Sequence, residues 1–484
     1  MSPISYATPG VYVEEISTLP PSIAEIGTAI PAFIGTTAKH DASKKVVVHE
    51  VSSLREYEDL CGFALTTKWK VSYDSSQDVF TILDQKDKPV DRFSEPECLL
   101  EYAIDHYFRN GGSRCYIVSV GVAKPDGLPE VKQFTDGLEA LESHDEPTLI
   151  VIPEAIRLSK EDHGSICAAA LSHAAKMGDR FALLDAKIPP SNTLTKVDMD
   201  AMRGHLGTNN LDRGALYFPF LQTTLPHLVA EETIQVLGLP SEFVATPTAQ
   251  GGAGAKSTSG AKPADAGVSL QSLATTHTSH YNQIKKLLAD QRVILPPSAA
   301  IAGVIASVDR ERGVWRAPAN VGLQAVIAPV VQVTDEQQAL LNIDATSGKS
   351  INAIRSFAGK GPLVWGARTL AGNDNEWRYI SVRRLFITVE ESVKKASAFA
   401  VFEANDISTW LKVKGMIDSY LYALWERGAL RGAKAEDAYF VNVGLNKTMT
   451  MDDVLNGRLI VEIGLAAVRP AEFIVLRFSH KLAQ

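Results

Sequence analysis

Thr148-Leu149-Ile150-Val151-Ile152-Pro153, an alanine-rich run over 162–177, then Phe181-Ala182-Leu183-Leu184-Asp185: this succession decides the fold. Both short runs are apolar without polar alternation, the pattern of strands covered on both faces. The run between them has the length and composition of a crossover helix. Strand, helix, strand at this spacing predicts parallel pairing and an α/β unit.

Working outward, Cys115-Tyr116-Ile117-Val118-Ser119-Val120 reads as another buried strand. Before it, residues 97–109 read as a helix that Gly111-Gly112 stops, with Leu99, Leu100, Ala103, Ile104, Tyr107 and Phe108 on its apolar face. Ala29–Gly35 and Val46-Val47-Val48 are shorter strand candidates, and Ser52/Ser53 marks a helix start. Downstream, Leu216-Tyr217-Phe218-Pro219-Phe220 predicts an edge strand, because proline lacks a ladder donor. Residues 245–279, rich in Gly, Ser, Thr and Ala, read as a flexible insertion. Residues 28–350 are therefore assigned to one α/β domain.

The last part of the chain, 351–484, reads as a separate α+β module. Asn405-Asp406 caps a helix in which Ile407, Trp410, Leu411, Ile417, Leu421, Leu424 and Trp425 recur at helical spacing before Gly428. Arg458–Gly464 reads as a strand, and Arg469-Pro470 separates it from a last one, Phe473-Ile474-Val475-Leu476-Arg477-Phe478. Ile474, Leu476 and Phe478 share one face of that strand, Phe473 and Val475 the other. Burying those five side chains is worth roughly 7–15 kcal/mol, and ordering eight residues around them costs about 8–16 kcal/mol. Such a strand must join a sheet already built. At the other end, Val11-Tyr12-Val13-Glu14-Glu15-Ile16 is a short strand cut off by Leu19-Pro20-Pro21, so 1–27 reads as an arm and linker.

Composition narrows the function classes. The 484 residues are 45% hydrophobic and carry a formal net charge of −8, with no basic field for nucleic acid or an anionic membrane. No signal peptide or membrane span is expected from the apolar runs. Cys61, Cys98, Cys115 and Cys167 are scattered, as expected of reduced thiols. Two stretches imitate a phosphate loop, Gly251–Thr258 and Gly348-Lys349-Ser350, but each lacks a glycine the backbone cradle requires. His277 and His280 form the closest histidine pair and are expected on solvated surface, without a third metal ligand. Glu390-Glu391 is expected to supply charge at a helix N-terminus. No nucleophile–base pair is found, so neither a catalytic residue nor a metal or cofactor is expected, and a hydrolase on the α/β sheet is the unfavoured alternative.

Several long stretches resemble contractile tail sheath proteins in the right order. They are Pro9–Glu15, Ala302–Asn320, Ile351–Phe357, Val364–Leu370, Trp377–Leu385 and Arg469-Pro470-Ala471-Glu472-Phe473. The likeness is dense over 8–16 and 300–484 and weak between 40 and 290. It implies a structural subunit of a phage tail, an R-type pyocin or an extracellular contractile injection system. In that family the chain ends and the C-terminal module form an inner domain near a rigid tube. The middle forms an outer domain resembling subtilisin without its triad. The chain is shorter than the large phage sheaths, which favours a compact particle.

The resemblance further implies a homo-oligomer, a helical stack of hexameric rings around an inner tube protein, bounded by baseplate and tail-terminator or cap proteins. Assembly in the bacterial cytoplasm, no nucleic acid and no direct membrane insertion go with it. Strand exchange between subunits is then expected through Val11, Tyr12, Val13, Glu14 and Ile16 at one end and Phe473, Ile474, Val475, Leu476 and Phe478 at the other. The alternative is that both strands pair within their own chain. Trp365, Arg368, Arg383 and Arg384 are expected to order the inner domain, the three arginines through ion pairs. Lys394 and Lys395 are candidates for touching an acidic tube surface.

Overall fold

The computed structural model describes residues 23–63, 65–124, 129–187, 194–239 and 267–473. The expected strand at Val11–Ile16 and residues 474–478 of the last strand lie outside them. By density of contacts the chain divides into two units, one of 27–388 with 469–484, the other of 1–26 with 389–468. The division falls inside the helix Ile380–Ser397. The domain boundary expected after residue 350 is therefore corrected. Ile351–Phe357 pairs in parallel with Gly214–Phe218 and antiparallel with Gly361–Val364, so 351–364 completes the large sheet.

That sheet has nine strands. In order they are Val321–Gly322, Gly361–Val364, Ile351–Phe357, Gly214–Phe218, Phe181–Asp185, Leu149–Val151, Pro31–Thr37, Cys115–Val122 and Val47–Val51. The six from Ile351–Phe357 to Cys115–Val122 run parallel, and each strand outside them pairs antiparallel with its inner neighbour. The predicted α/β class holds as a mixed α/β fold around a largely parallel sheet. Alternation divides Pro31–Thr37 between two cores, Ala32 and Ile34 entering one and Phe33 the other. The helix Lys160–Met177 covers the first. Ser159 caps it by accepting from the Asp162 amide, and Gly178, at φ 82°, ends it left-handed. Leu100–Arg109 and Ser298–Arg312 cover the second face. They approach closely at Gly303, where a Cβ would stand 2.5 Å from the Tyr107 carbonyl oxygen.

Three local expectations are overturned. Gly214–Phe218 lies inside the sheet, fully buried, because Pro219 falls just past its last residue and interrupts no ladder. The insertion expected over 245–279 is folded from 267 onward: Val268–Ser269 is a strand and Leu270–Thr276 a helix. Leu270 and Leu273, one turn apart, bury fully against Trp69 and Ile284, enough apolar surface to fix an otherwise polar tract. Glu390 and Glu391 stand mid-helix, since Ile380–Ser397 begins ten residues before Glu390.

The smaller unit is α+β, as the sequence pattern predicts. Its long helix, Ile407–Glu426, starts at Asp406, which accepts from the Thr409 amide, and Trp410 Nε1 donates to Asn405. Tyr439–Val443 and Val461–Leu465 pair antiparallel in a two-stranded ribbon.

Candidate functional site

In an α/β sheet, chemistry belongs at the carboxyl ends of parallel strands, and there the structure closes the space. Asp185 ends Phe181–Asp185, and Ser298 begins the helix Ser298–Arg312. The Ser298 amide donates to Asp185 Oδ1 at 2.8 Å and its hydroxyl to Oδ2 at 2.5 Å, with both residues buried. His163 meets Cys167 Sγ at 3.6 Å and His205 at 3.3 Å, and burial takes its imidazole down to about 3. The Ser298 hydroxyl is thus turned to Asp185, and His163 to Cys167 and His205, with no serine–histidine hydrogen bond there among the described residues. All four cysteines are free and buried, and burial pushes the Cys61 and Cys98 thiols up to about 12. None is poised as a thiolate.

The other candidates from sequence are absorbed by the fold. Lys349 of the phosphate-loop look-alike turns inward, its ammonium donating to the Arg203 carbonyl at 2.8 Å. Gly251–Thr258 lies outside the described residues. His277 and His280 are half-buried at a helix start, not solvated, with His280 packed on Phe80 and Tyr73. No group of three metal-ligating side chains occurs among the described residues, and no helix there is long and apolar enough to cross a membrane.

What the smaller unit presents instead is surface. The outer edges of Tyr439–Val443 and Val461–Leu465 have no strand partner among the described residues. The ribbon's covered side is uneven. Val441 and Val443 are buried, while Val461, Ile463 and Leu465 are half-exposed. Phe440 lies across Gly464, where a Cβ would come within 2.1 Å of its ring, so only glycine admits that packing. A cavity of about 540 Å³ opens at the start of Val461–Leu465, floored by Thr409 and Val413 and flanked by Leu459 and Val461. No residue of Tyr439–Val443 lines it, so it borders Val461–Leu465, whose outer edge has no partner among the described residues. Phe402 stands at its rim, fully exposed and at φ 69°, a left-handed conformation rare for a bulky residue.

Ile407 and Leu411, expected in the helix core, are 68% and 62% exposed. One turn apart on the helix Ile407–Glu426, they form an apolar stripe. Lys394 and Lys395, the candidates for an acidic partner, reach back along their helix to Glu391 at 3.0 and 3.6 Å and remain largely exposed.

Trp365, Arg368, Arg383 and Arg384 belong to the large-sheet unit, which corrects their assignment to an inner domain. The reason is that the chain crosses to the other unit only after Thr388. Arg384 forms a buried two-point pair with Asp309, at 2.9 and 2.5 Å, and donates to the Thr28 carbonyl. Arg383 stacks 4.4 Å over the Trp377 ring and pairs with Asp212. Trp365 packs on Phe357 and donates its amide to Ala353. Arg368, 3% exposed, grips Glu472 through Nε at 2.8 Å and Nη2 at 2.5 Å. Phe473, the one exchange residue of the C-terminal end that is described, is exposed.

Comparison with known proteins bears on this surface. Residues 372–481 match the phage tail sheath C-terminal domain. Over 99% of this chain, the structure aligns with a cryo-EM chain from the anti-feeding prophage helical sheath in the contracted state. That alignment has 30% identity and a TM-score of 0.63, and it covers all of that chain. The chain belongs to the contractile tail sheath family. A second sheath structure, the PVC sheath complex of an extracellular contractile injection system in the contracted state, aligns at 29% identity and TM-score 0.63 over 99% of both chains. Among curated relatives, the tail sheath protein of Vibrio phage KVP40 is 26% identical over 190 residues, 39% of this chain and 27% of that protein. The tail sheath protein of Enterobacteria phage T4 is 26% identical over 115 residues, 24% of this chain and 17% of that protein. The chain thus spans well under a third of either phage sheath protein.

Two residues at the heart of these contacts, Asp309 and Glu472, were not singled out from sequence. Both stand inside stretches that carry the sheath resemblance, which is the signal that points to them.

Proposed function

We propose that this chain is the structural subunit of a contractile sheath. Copies stack as hexameric rings into a helical sheath around an inner tube, between a baseplate and a cap. Contraction drives the tube through a target membrane. The observation that carries this reading is the ribbon Tyr439–Val443/Val461–Leu465, whose outer edges have no strand partner among the described residues. A lone two-stranded ribbon is marginally stable, and open edges are templates for further strands. The chain supplies strand-like segments at both ends, Val11–Ile16 and Phe473–Phe478, and each would extend the ribbon of a neighbouring copy. A strand added beside Val461–Leu465 would lie over the cavity and cover Ile463 and Leu465. The likeness to a sheath and to an anti-feeding prophage baseplate chain, 30% identical over 99% of this chain, supports the assembly partners.

The large sheet is read as a subtilisin-like frame that does no catalysis, since the Ser298 hydroxyl is directed to Asp185 and not to a histidine. Ile407, Leu411, Lys394 and Lys395 are the residues offered to an acidic tube surface. Assembly takes place in the bacterial cytoplasm, and the particle is a phage tail or an extracellular contractile device.

Negative-stain microscopy of the purified protein tests the reading. Tubes with cogwheel cross-sections are expected. Deleting residues 1–18 is expected to abolish them and leave a folded monomer, and unaltered tubes from the deletion variant would refute strand exchange.

A further inference from the structure

The Glu472 carboxylate sits in a receptor built before it arrives in the sequence. Arg368 approaches with Nε on Oε1 and Nη2 on Oε2, Asn342 Nδ2 donates to Oε1 at 3.3 Å, and the Tyr379 hydroxyl to Oε2 at 3.3 Å. Arg368 is itself held. Asn352 Oδ1 accepts its amide and Asn352 Nδ2 donates to its carbonyl, both at 2.8 Å, while Nη1 donates to the Gly372 carbonyl at 3.3 Å. Two glycines make room. A Cβ at Gly366 would stand 2.7 Å from Asn352 Oδ1, and one at Gly372 would overlap Ser350 Oγ. Asn352 and Arg368 are 1% and 3% exposed, so the fork is fixed in direction whether or not a carboxylate fills it.

The segment it holds has little else. Among the described residues, 469–473 pairs with no strand and takes part in no backbone hydrogen bond, and Phe473 is 69% exposed. One side chain ties it to the large-sheet unit. The N-terminal linker is tied to the other unit, where the Ile26 amide donates to Ser392 Oγ and Glu25 pairs with Arg427.

We propose that Arg368 and its supports form a latch that mounts the C-terminal arm on the large-sheet unit, with Glu472 as the detachable key. While the latch is shut, the strand that follows starts from a fixed point. The six residues that follow Glu472, to Phe478, then reach roughly 20 Å at most. When it opens, the arm hangs from Val468, whose amide donates to Ala429 in the smaller unit, and its reach grows by four residues, roughly 13 Å. The latch therefore sets which unit feels a load applied to the arm, a consequence that rests on the strand-exchange reading above.

The test uses a spin label on Ala471→Cys, an exposed site in a chain whose own cysteines are buried. In the unassembled protein the label is expected to be largely immobile. Glu472→Gln keeps the shape and removes the charge, and Glu472→Asp keeps the charge and withdraws it by one methylene. Each is expected to shift the label about thirtyfold or more toward its mobile component. The circular dichroism of the large-sheet unit should not change. A label equally immobile in both variants overturns the latch, as does immobility retained in Glu472→Asp, which would show that the fork geometry is irrelevant. Because the label is read without tubes, failure of the sheath reading appears separately, in microscopy of the unsubstituted protein.

Discussion

Replacing Asp185 by Asn should make the large-sheet unit less sensitive to alkaline pH. Burial pushes the Asp185 carboxyl from its ordinary 3.8 up to about 7, against the opposing pull of two hydrogen bonds from Ser298. Below pH 3.8 folded and unfolded chains both hold the proton, and the group adds nothing to the pH dependence. Between that value and about 7 the unfolded chain releases its proton and the folded one does not, so stability falls as pH rises; above 7 the loss is complete. The full loss is about 4 kcal/mol, of which about 2.5 kcal/mol falls between pH 5 and pH 8. Two other titratable groups near Asp185 keep their charge state throughout that window, because burial holds the His163 imidazole down at about 3 and pushes the Cys167 thiol far up. Asparagine can still accept from the Ser298 amide, and it has no charge to desolvate. Scanning calorimetry at fixed rate, on both proteins from pH 5 to pH 8, isolates the effect as a difference. The melting temperature of Asp185→Asn should rise by several degrees relative to the parent across that range. Parallel curves would refute the claim that this carboxyl is held protonated by its surroundings.

Three further substitutions probe other contacts. Arg384→Ala leaves Asp309 buried without its partner and should cost roughly 3–5 kcal/mol in chemical unfolding, whereas Arg384→Met with Asp309→Leu should recover most of it; a single-variant loss under about 1 kcal/mol would show the pair to be incidental. Gly303→Ala drives a methyl into the Tyr107 carbonyl and should destabilise by roughly 1–3 kcal/mol, read from the same titration, with an unchanged midpoint counting against the close approach. Phe402→Gly relieves the left-handed backbone at a fully exposed position and should stabilise the monomer by about 1 kcal/mol, read as a higher melting temperature. The same variant should slow tube growth, and faster growth would remove Phe402 from the assembly surface.

The sequence carried the local grammar well and the long-range order poorly. Leu149–Val151, Lys160–Met177 and Phe181–Asp185 stand where apolar runs and caps place them, because period, capping and length are properties of short stretches. That Pro31–Thr37 lies between Leu149–Val151 and Cys115–Val122 depends on partners more than 80 residues away, and no local pattern encodes it. Pro219 misled because a one-residue offset decides whether a proline breaks a ladder. Leu270 and Leu273 were lost among serines and threonines, since composition over a long window hides two well-spaced leucines. Of the candidate site, the arginines were visible as charges, but their partners Asp309, Asp212 and Glu472 were not. A single carboxylate has no periodicity to betray it.

The two arms are therefore unlike in their mounting, and the difference has a mechanical consequence. The N-terminal linker holds to the smaller unit through the Ile26 amide on Ser392 and the Glu25–Arg427 pair, a partly exposed pair worth about 0–1 kcal/mol. The C-terminal arm is rooted at Glu472 in a buried fork with four donors, on the large-sheet unit. If both arms join ribbons of neighbouring copies, a displacement between copies loads the weaker root first. The N-terminal root would yield before the C-terminal one, so the C-terminal coupling to the neighbouring copy would outlast the N-terminal one. Weakening the C-terminal root by Glu472→Gln should reverse that order, as should strengthening the N-terminal root.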